Sequence, residues 1–194
     1  MVELIESNRK LTSSVQENRR NIRLVATNLY LVNPSIAFLS DETRDKLYLI
    51  YNEITKKFDI PFNNIFITGS AHIGFSLKKN CDFNRNSDLD ISIISASLFN
   101  KILNCILDES NYYRSNHIFK DQEQLRAFKE NISRGKIHPL YFPNGDTKNN
   151  WDSFFQKLSR EHHNCFSKIT ACVYLSEECF RFYQEESLSK FCVS

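Results

Sequence analysis

Asp88 and Asp90 lie one residue apart in the run SDLDISII, residues 87 to 94, and so put two carboxylates inside an otherwise apolar stretch. Side chains alternate along an extended chain, so both aspartates project from one face while Leu89, Ile91 and Ile93 project from the other. Two like charges on one face repel unless a cation lies between them, and a hard divalent ion such as Mg²⁺ or Mn²⁺ is the natural counter-charge. Upstream, the apolar run NIFIT leads into Gly69-Ser70 and the short stretch AHIGFS. Gly69 permits close approach of the backbone to a ligand, amides at the start of the following helical turn favour an anion, and Ser70 adds a hydroxyl. Together these residues read as a phosphate cradle. Lys78 and Lys79 come within reach of polyphosphate charge if the segment NCDFNRN folds back as a loop. His72 reads equally as a phosphate contact or as a side chain packed on the short helix, and Ser87 as a turn or capping residue beside the acids. Phosphates next to paired carboxylates imply divalent-metal nucleotide chemistry.

The elements that must hold these residues are legible from periodicity. NIFIT and LDISII are β-branched or aromatic runs and read as strands. SDETRDKLYLIYNEITKKF repeats apolar residues at Leu47, Ile50, Tyr51 and Ile54 behind the candidate N-cap Ser40, which predicts a helix. ASLFNKILNCILDE has helical spacing, and DQEQLRAFKENISRG predicts a polar helix stopped by Gly135. HPLYFPNGDTKNN reads as a loop, marked by Pro139, Pro143 and Asn144-Gly145. Helix, strand and helix follow in WDSFFQKLSREHH, KITACVYL and SEECFRFYQEESLSKF. The expected fold class is α/β (α+β): a small mixed sheet carrying the Gly-Ser turn and the Asp-x-Asp strand, wrapped by helices from both termini.

Gly69-Ser70 at a helix start, followed on the next strand by Asp88-x-Asp90, resembles the nucleotidyltransferase superfamily related to DNA polymerase beta. GSAHIGFSL with SDLDISIISASLF is most similar to small stand-alone bacterial members, some found near toxin or phage-defence genes, and the resemblance covers about residues 40 to 108. It implies that Gly69 and Ser70 contact a triphosphate and that Asp88 and Asp90 are the catalytic ligands of Mg²⁺ (or Mn²⁺). The reaction implied is transfer of a nucleoside monophosphate from an NTP or dNTP to a hydroxyl, with pyrophosphate released. The acceptor stays open between a nucleic-acid 3′ end, another nucleotide and a protein side chain.

Members of this superfamily usually place a third carboxylate on a neighbouring strand, and KITACVYL contains none. With Ile169, Ala171 and Val173 facing the core, the positions turned to the site are Thr170, Cys172 and Tyr174. Glu177, at a helix start just beyond the strand, is the first substitute, with Asp146 and Asp152 behind it; otherwise substrate phosphates and water complete the coordination. The missing acid motivates an alternative, a catalytically weakened nucleotide-binding module that regulates a protein partner. A third reading, an RNA-binding domain that lost its chemistry, has no RNA-binding motif in its favour.

The remaining features read as structure. Tyr112, Tyr113 and Arg114, with Lys120 nearby, have the types to stack on and grip a base, but an aromatic pair after a helix reads first as packing. His162, His163, Cys165, Cys172 and Cys179 fall close together in sequence at spacings that match no metal motif, and the six cysteines contain no CxxC pair, so reduced thiols are expected. With 194 residues, 41% hydrophobic and 25% charged, the chain suits one globular core, divided here into a helical appendage at 1–39 and a nucleotidyltransferase-like domain with C-terminal helices at 40–194. A net charge of +2 carries no argument for nucleic acid. No apolar run approaches the roughly 20 residues that span a bilayer, and the N-terminus lacks the apolar core of a signal peptide, so no membrane partner and a cytoplasmic location are expected.

Overall fold

A computed structural model of the chain describes residues 10, 11, 13–18, 21–77 and 81–191. The fold is mixed α/β, a small four-stranded sheet among helices. The strands are β1 (Ile65–Thr68), β2 (Leu89–Ile94), β3 (Lys136–Ile137) and β4 (Ile169–Tyr174), in the order β1-β2-β4-β3. β1 runs antiparallel to β2, β2 parallel to β4, and β3 antiparallel to β4.

The α-helices from residue 22 onward are α1 (Ile22–Thr27), α2 (Asp41–Phe58), α3 (Ser70–Ile73), α4 (Ala96–Glu109), α5 (Gln122–Ser133), α6 (Asp146–Glu161) and α7 (Glu177–Phe191). Ser40 stands at the N-cap of α2, as its sequence predicts, but the side-chain bonds there come from Thr43, whose hydroxyl donates to the carbonyls of Ala37 and Ser40. Asp59 ends α2 in the left-handed conformation, and Pro61 follows two residues on. Ser95 and Asp121 cap α4 and α5 through side-chain oxygens. The segment expected to be a loop is shorter than its turn residues suggest: Pro139–Tyr141 forms a 3-10 turn, and α6 already begins at Asp146.

Strand alternation sorts the sheet into two unlike faces. Ile65 and Ile67, Leu89, Ile91 and Ile93, and Ile169, Ala171 and Val173 are buried in the main core, with Leu47, Ile50 and Ile54 of α2, Ile102 and Ile106 of α4, and Phe155 and Leu158 of α6. The opposite face carries Thr68, Asp90, Ser92, Thr170, Cys172 and Tyr174. At the Tyr174 end it is covered by a second cluster that includes Val25 and Ala26 of α1 and Phe180 and Leu188 of α7. Asp90, toward the other end of β2, remains exposed.

Among the described residues no single helix is long and apolar enough to cross a membrane.

Candidate active site

Asp90 is the second residue of β2, and the antiparallel pairing with β1 sets Thr68 opposite it. The chain then turns sharply at Gly69, with φ +64° and ψ −154°, a region of backbone space open essentially to glycine. This turn brings Gly69 against the aspartate: a Cβ on residue 69 would lie 2.6 Å from Asp90 Oδ2. The glycine that the sequence marks for close approach is therefore needed first because of the protein's own carboxylate. Ser70 follows at the start of α3, so Gly69, Ser70 and Asp90 converge although 20 residues separate Ser70 from Asp90 in sequence.

Each aspartate has one oxygen fixed by a hydroxyl from the β4 side. Thr170, directly across the parallel pairing from Asp90, donates to Asp90 Oδ1 at 2.9 Å, and Ser167 donates to Asp88 Oδ1 at 2.6 Å. Both carboxylates are exposed to solvent. The donor set is all hard oxygen, with a side-chain-free approach at Gly69, and it fits a Mg²⁺-type ion. Thr170 is the β4 residue paired with Asp90. Among the described residues no third Asp, Glu, His or Cys joins Asp88 and Asp90 within 4.8 Å.

Glu177 is not brought to this site. Thr170 faces Asp90 near the start of β4, whereas Glu177 follows the far end of that strand, more than four residues along, or upwards of about 13 Å of extended chain. It pairs with Arg181 at 3.6 Å, and its neighbour Glu178 pairs with Arg23 and Arg181. Asp152 is held by Lys148 within α6, and Asp146 opens that helix. The expectation failed because residues following one β-strand emerge at the end opposite to where that strand begins.

Of the two readings of His72, the structure supports packing. Its ring is 4% exposed, lies 2.6 Å from the Ser35 hydroxyl through Nδ1 and 2.6 Å from the Leu29 carbonyl through Nε2, and stacks on Tyr30 at 4.9 Å. Both ring nitrogens are committed, so His72 braces the N-terminal segment against α3 and does not face a phosphate. Burial lowers its pKa, partly offset by the bond to Leu29. Leu29 and Tyr30 lie in a π-helical turn, Asn28–Val32, that no sequence signal announced.

Ser87 closes the turn before β2, its hydroxyl accepting from the Asn84 amide at 3.1 Å and its carbonyl from the Ser167 amide at 3.0 Å. Lys78 and Lys79 lie outside the described residues. Tyr113 packs against Phe128 with the Lys129 ammonium 4.7 Å from its ring centre, which supports the packing reading, while Tyr112 is exposed. Asn111, Tyr112 and Tyr113 all have positive φ, at 47°, 53° and 65°.

Deeper on the same face, Ser92 lies 3.3 Å from the Thr68 hydroxyl and hydrogen-bonds Tyr174, whose phenol pKa is pushed well above its ordinary value by burial. These bonds anchor the three strands just below Asp90.

A separate group was missed by motif reasoning. Glu53 of α2 meets Glu161 and His162 at the end of α6, with one ligand atom from each within 4.8 Å of the others. The sequence signal was adjacent Glu161-His162 and a glutamate more than 100 residues away, which no spacing rule connects.

No protein-family model, curated protein or solved structure matches the chain.

Proposed function

We propose that the chain is a metal-dependent nucleotidyltransferase, with Asp88 and Asp90 as ligands of Mg²⁺ (or Mn²⁺) and Gly69-Ser70 as the contact for the triphosphate of an NTP or dNTP. The observation that carries this reading is the approach of Gly69 to Asp90: the turn suited to phosphate and the carboxylate suited to metal meet at one point. A bound divalent ion would lower the pKa of an attacking hydroxyl and neutralise charge on the departing pyrophosphate. The chain's own residues supply position. Thr170 and Ser167 hold the two carboxylates by one oxygen each, and the Gly69 turn leaves a side-chain-free approach beside Asp90 along which a triphosphate would come. An acceptor hydroxyl oxygen then bonds to the α-phosphorus, the bond to the bridging oxygen breaks, pyrophosphate leaves and the hydroxyl proton passes to water. The acceptor is a nucleic-acid 3′ end, a nucleotide or a protein hydroxyl, and a role in phage defence or a toxin system follows only from the resemblance.

One observation favours a second reading. The β4 residue paired with Asp90 is the neutral Thr170, which suits a catalytically weakened nucleotide-binding module working through a protein partner.

Purified protein incubated with each labelled NTP and dNTP, with Mg²⁺ or Mn²⁺, separates the two by pyrophosphate release and labelled product. Transfer that disappears in Asp88→Ala and Asp90→Ala supports the enzyme; transfer that persists in the double variant refutes the assignment, and binding without turnover supports the module.

A further inference from the structure

The C-terminal end of α6 carries a buried histidine, His162. His162 is 5% exposed, and its Nδ1 is buried with no hydrogen-bond partner, a costly state for a polar atom. A ring nitrogen of this histidine lies within 4.8 Å of carboxylate oxygens of both Glu53 and Glu161. We infer that Glu53, Glu161 and His162 form a structural site for a divalent metal of the zinc class, tying α2 to the end of α6.

The donor set selects the metal. One imidazole nitrogen with two carboxylates suits zinc and its first-row neighbours, whereas Mg²⁺ and Ca²⁺ prefer oxygen alone. Bonds of about 2.0–2.2 Å in a tetrahedron put ligand atoms roughly 3.3–3.6 Å apart, so with all three ligand atoms within 4.8 Å of one another no pair has to close by more than about 1.5 Å, within the rotamer freedom of two glutamates. Water would take the fourth position.

The Lys157 ammonium now bridges the carboxylates, 3.1 Å from Glu53 Oε2 and 3.6 Å from Glu161 Oε1. Its side chain is half exposed, and such pairs are weak, so a dication can displace it at little cost. The site would brace the loop beyond α6: the His162 carbonyl accepts from the amides of Cys165 and Phe166, and the next residue, Ser167, bonds Asp88. The inference does not rest on the proposed transferase activity, although the braced loop reaches Asp88 through Ser167.

The full chain, stripped with a chelator, is titrated calorimetrically with zinc chloride and, separately, followed by absorption on adding Co²⁺. The Asp88→Asn/Asp90→Asn variant should bind one equivalent of zinc, and wild type at least one. Glu53→Gln/Glu161→Gln should weaken binding by about 10- to 100-fold or more, and Lys157→Met, which removes the competing ammonium, should tighten it. The cobalt spectrum should lack a sulfur-to-metal charge-transfer band. No binding by wild type, unchanged affinity in the glutamine variant, no tightening in Lys157→Met, or a thiolate band would each overturn the site. Zinc binding lost only in Asp88→Asn/Asp90→Asn would assign the metal to the other centre and overturn it as well.

Discussion

Thr170 faces Asp90 across the parallel β2–β4 pairing and donates its hydroxyl to Oδ1 at 2.9 Å. In the proposed metal site, the β4 residue nearest Asp90 is thus a neutral donor and not a carboxylate.

Thr170→Asp tests that position directly. The new carboxylate should lower the melting temperature of the metal-free protein by like-charge repulsion, and Mg²⁺ should reverse the loss. Turnover of the preferred nucleotide should rise about tenfold or more, equivalent to about 1.4 kcal/mol off the barrier. Thermal melts with and without Mg²⁺, beside pyrophosphate release, measure both effects.

Gly69→Ala should hurt function more than stability. The backbone at φ +64°, ψ −154° resists a Cβ, at a cost of about 1–3 kcal/mol, or a fall in Tm of roughly 2–12 °C. The added methyl also meets Asp90 Oδ2 at 2.6 Å, so the carboxylate that Thr170 holds through Oδ1 must shift. Metal-dependent nucleotide binding should fall more than tenfold while the folded circular-dichroism spectrum survives at 20 °C; wild-type binding in Gly69→Ala would contradict the proposed convergence.

Glu177→Ala should leave nucleotide binding and any turnover within about twofold of wild type, because its partner Arg181 keeps Glu178 and the side chain lies at the far end of β4. A large loss of turnover with intact folding would return Glu177 to the site.

His72 makes stability depend on pH. Burial lowers its folded pKa below the ordinary value of 6.5, so between the two values the unfolded chain binds the extra proton. Its contribution is complete above about pH 6.5 and shrinks as pH falls through that value toward the folded pKa. Melting temperature should therefore drop from pH 7.5 to pH 5.5, and His72→Gln should flatten that slope while lowering stability at pH 7.5. Equal slopes for both proteins would remove His72 as a source of the pH effect.

Much of the fold is local and was legible. Leu47, Ile50, Tyr51 and Ile54 repeat at helical spacing because one stripe of α2 must be buried, and they are buried. The alternation of Leu89, Ile91 and Ile93 against Asp90 and Ser92, and of Ile169, Ala171 and Val173 against Thr170, Cys172 and Tyr174, follows from the strand period of two and holds in the sheet. The two-residue β3 has no such period to read, and the start of α6 at Asp146 is hidden behind the turn residues Asn144-Gly145. Extension of that helix is supported by Glu109, from another helix, which accepts from the Thr147 amide at 2.8 Å.

The sequence by itself determined the longer elements, the faces that β2 and β4 bury, and the presence of two aspartates downstream of a Gly-Ser pair, because these depend on neighbours a few residues apart. Only the tertiary structure decided which of them meet. It set Gly69 against Asp90 and Thr170 beside it, turned His72 away to Ser35 and Leu29, sent Glu177 to the far end of β4, and joined Glu53 to Glu161 and His162. Each of those contacts depends on strand order, register and helix packing, which arise from burying the whole core at once, so no local period in the chain encodes them.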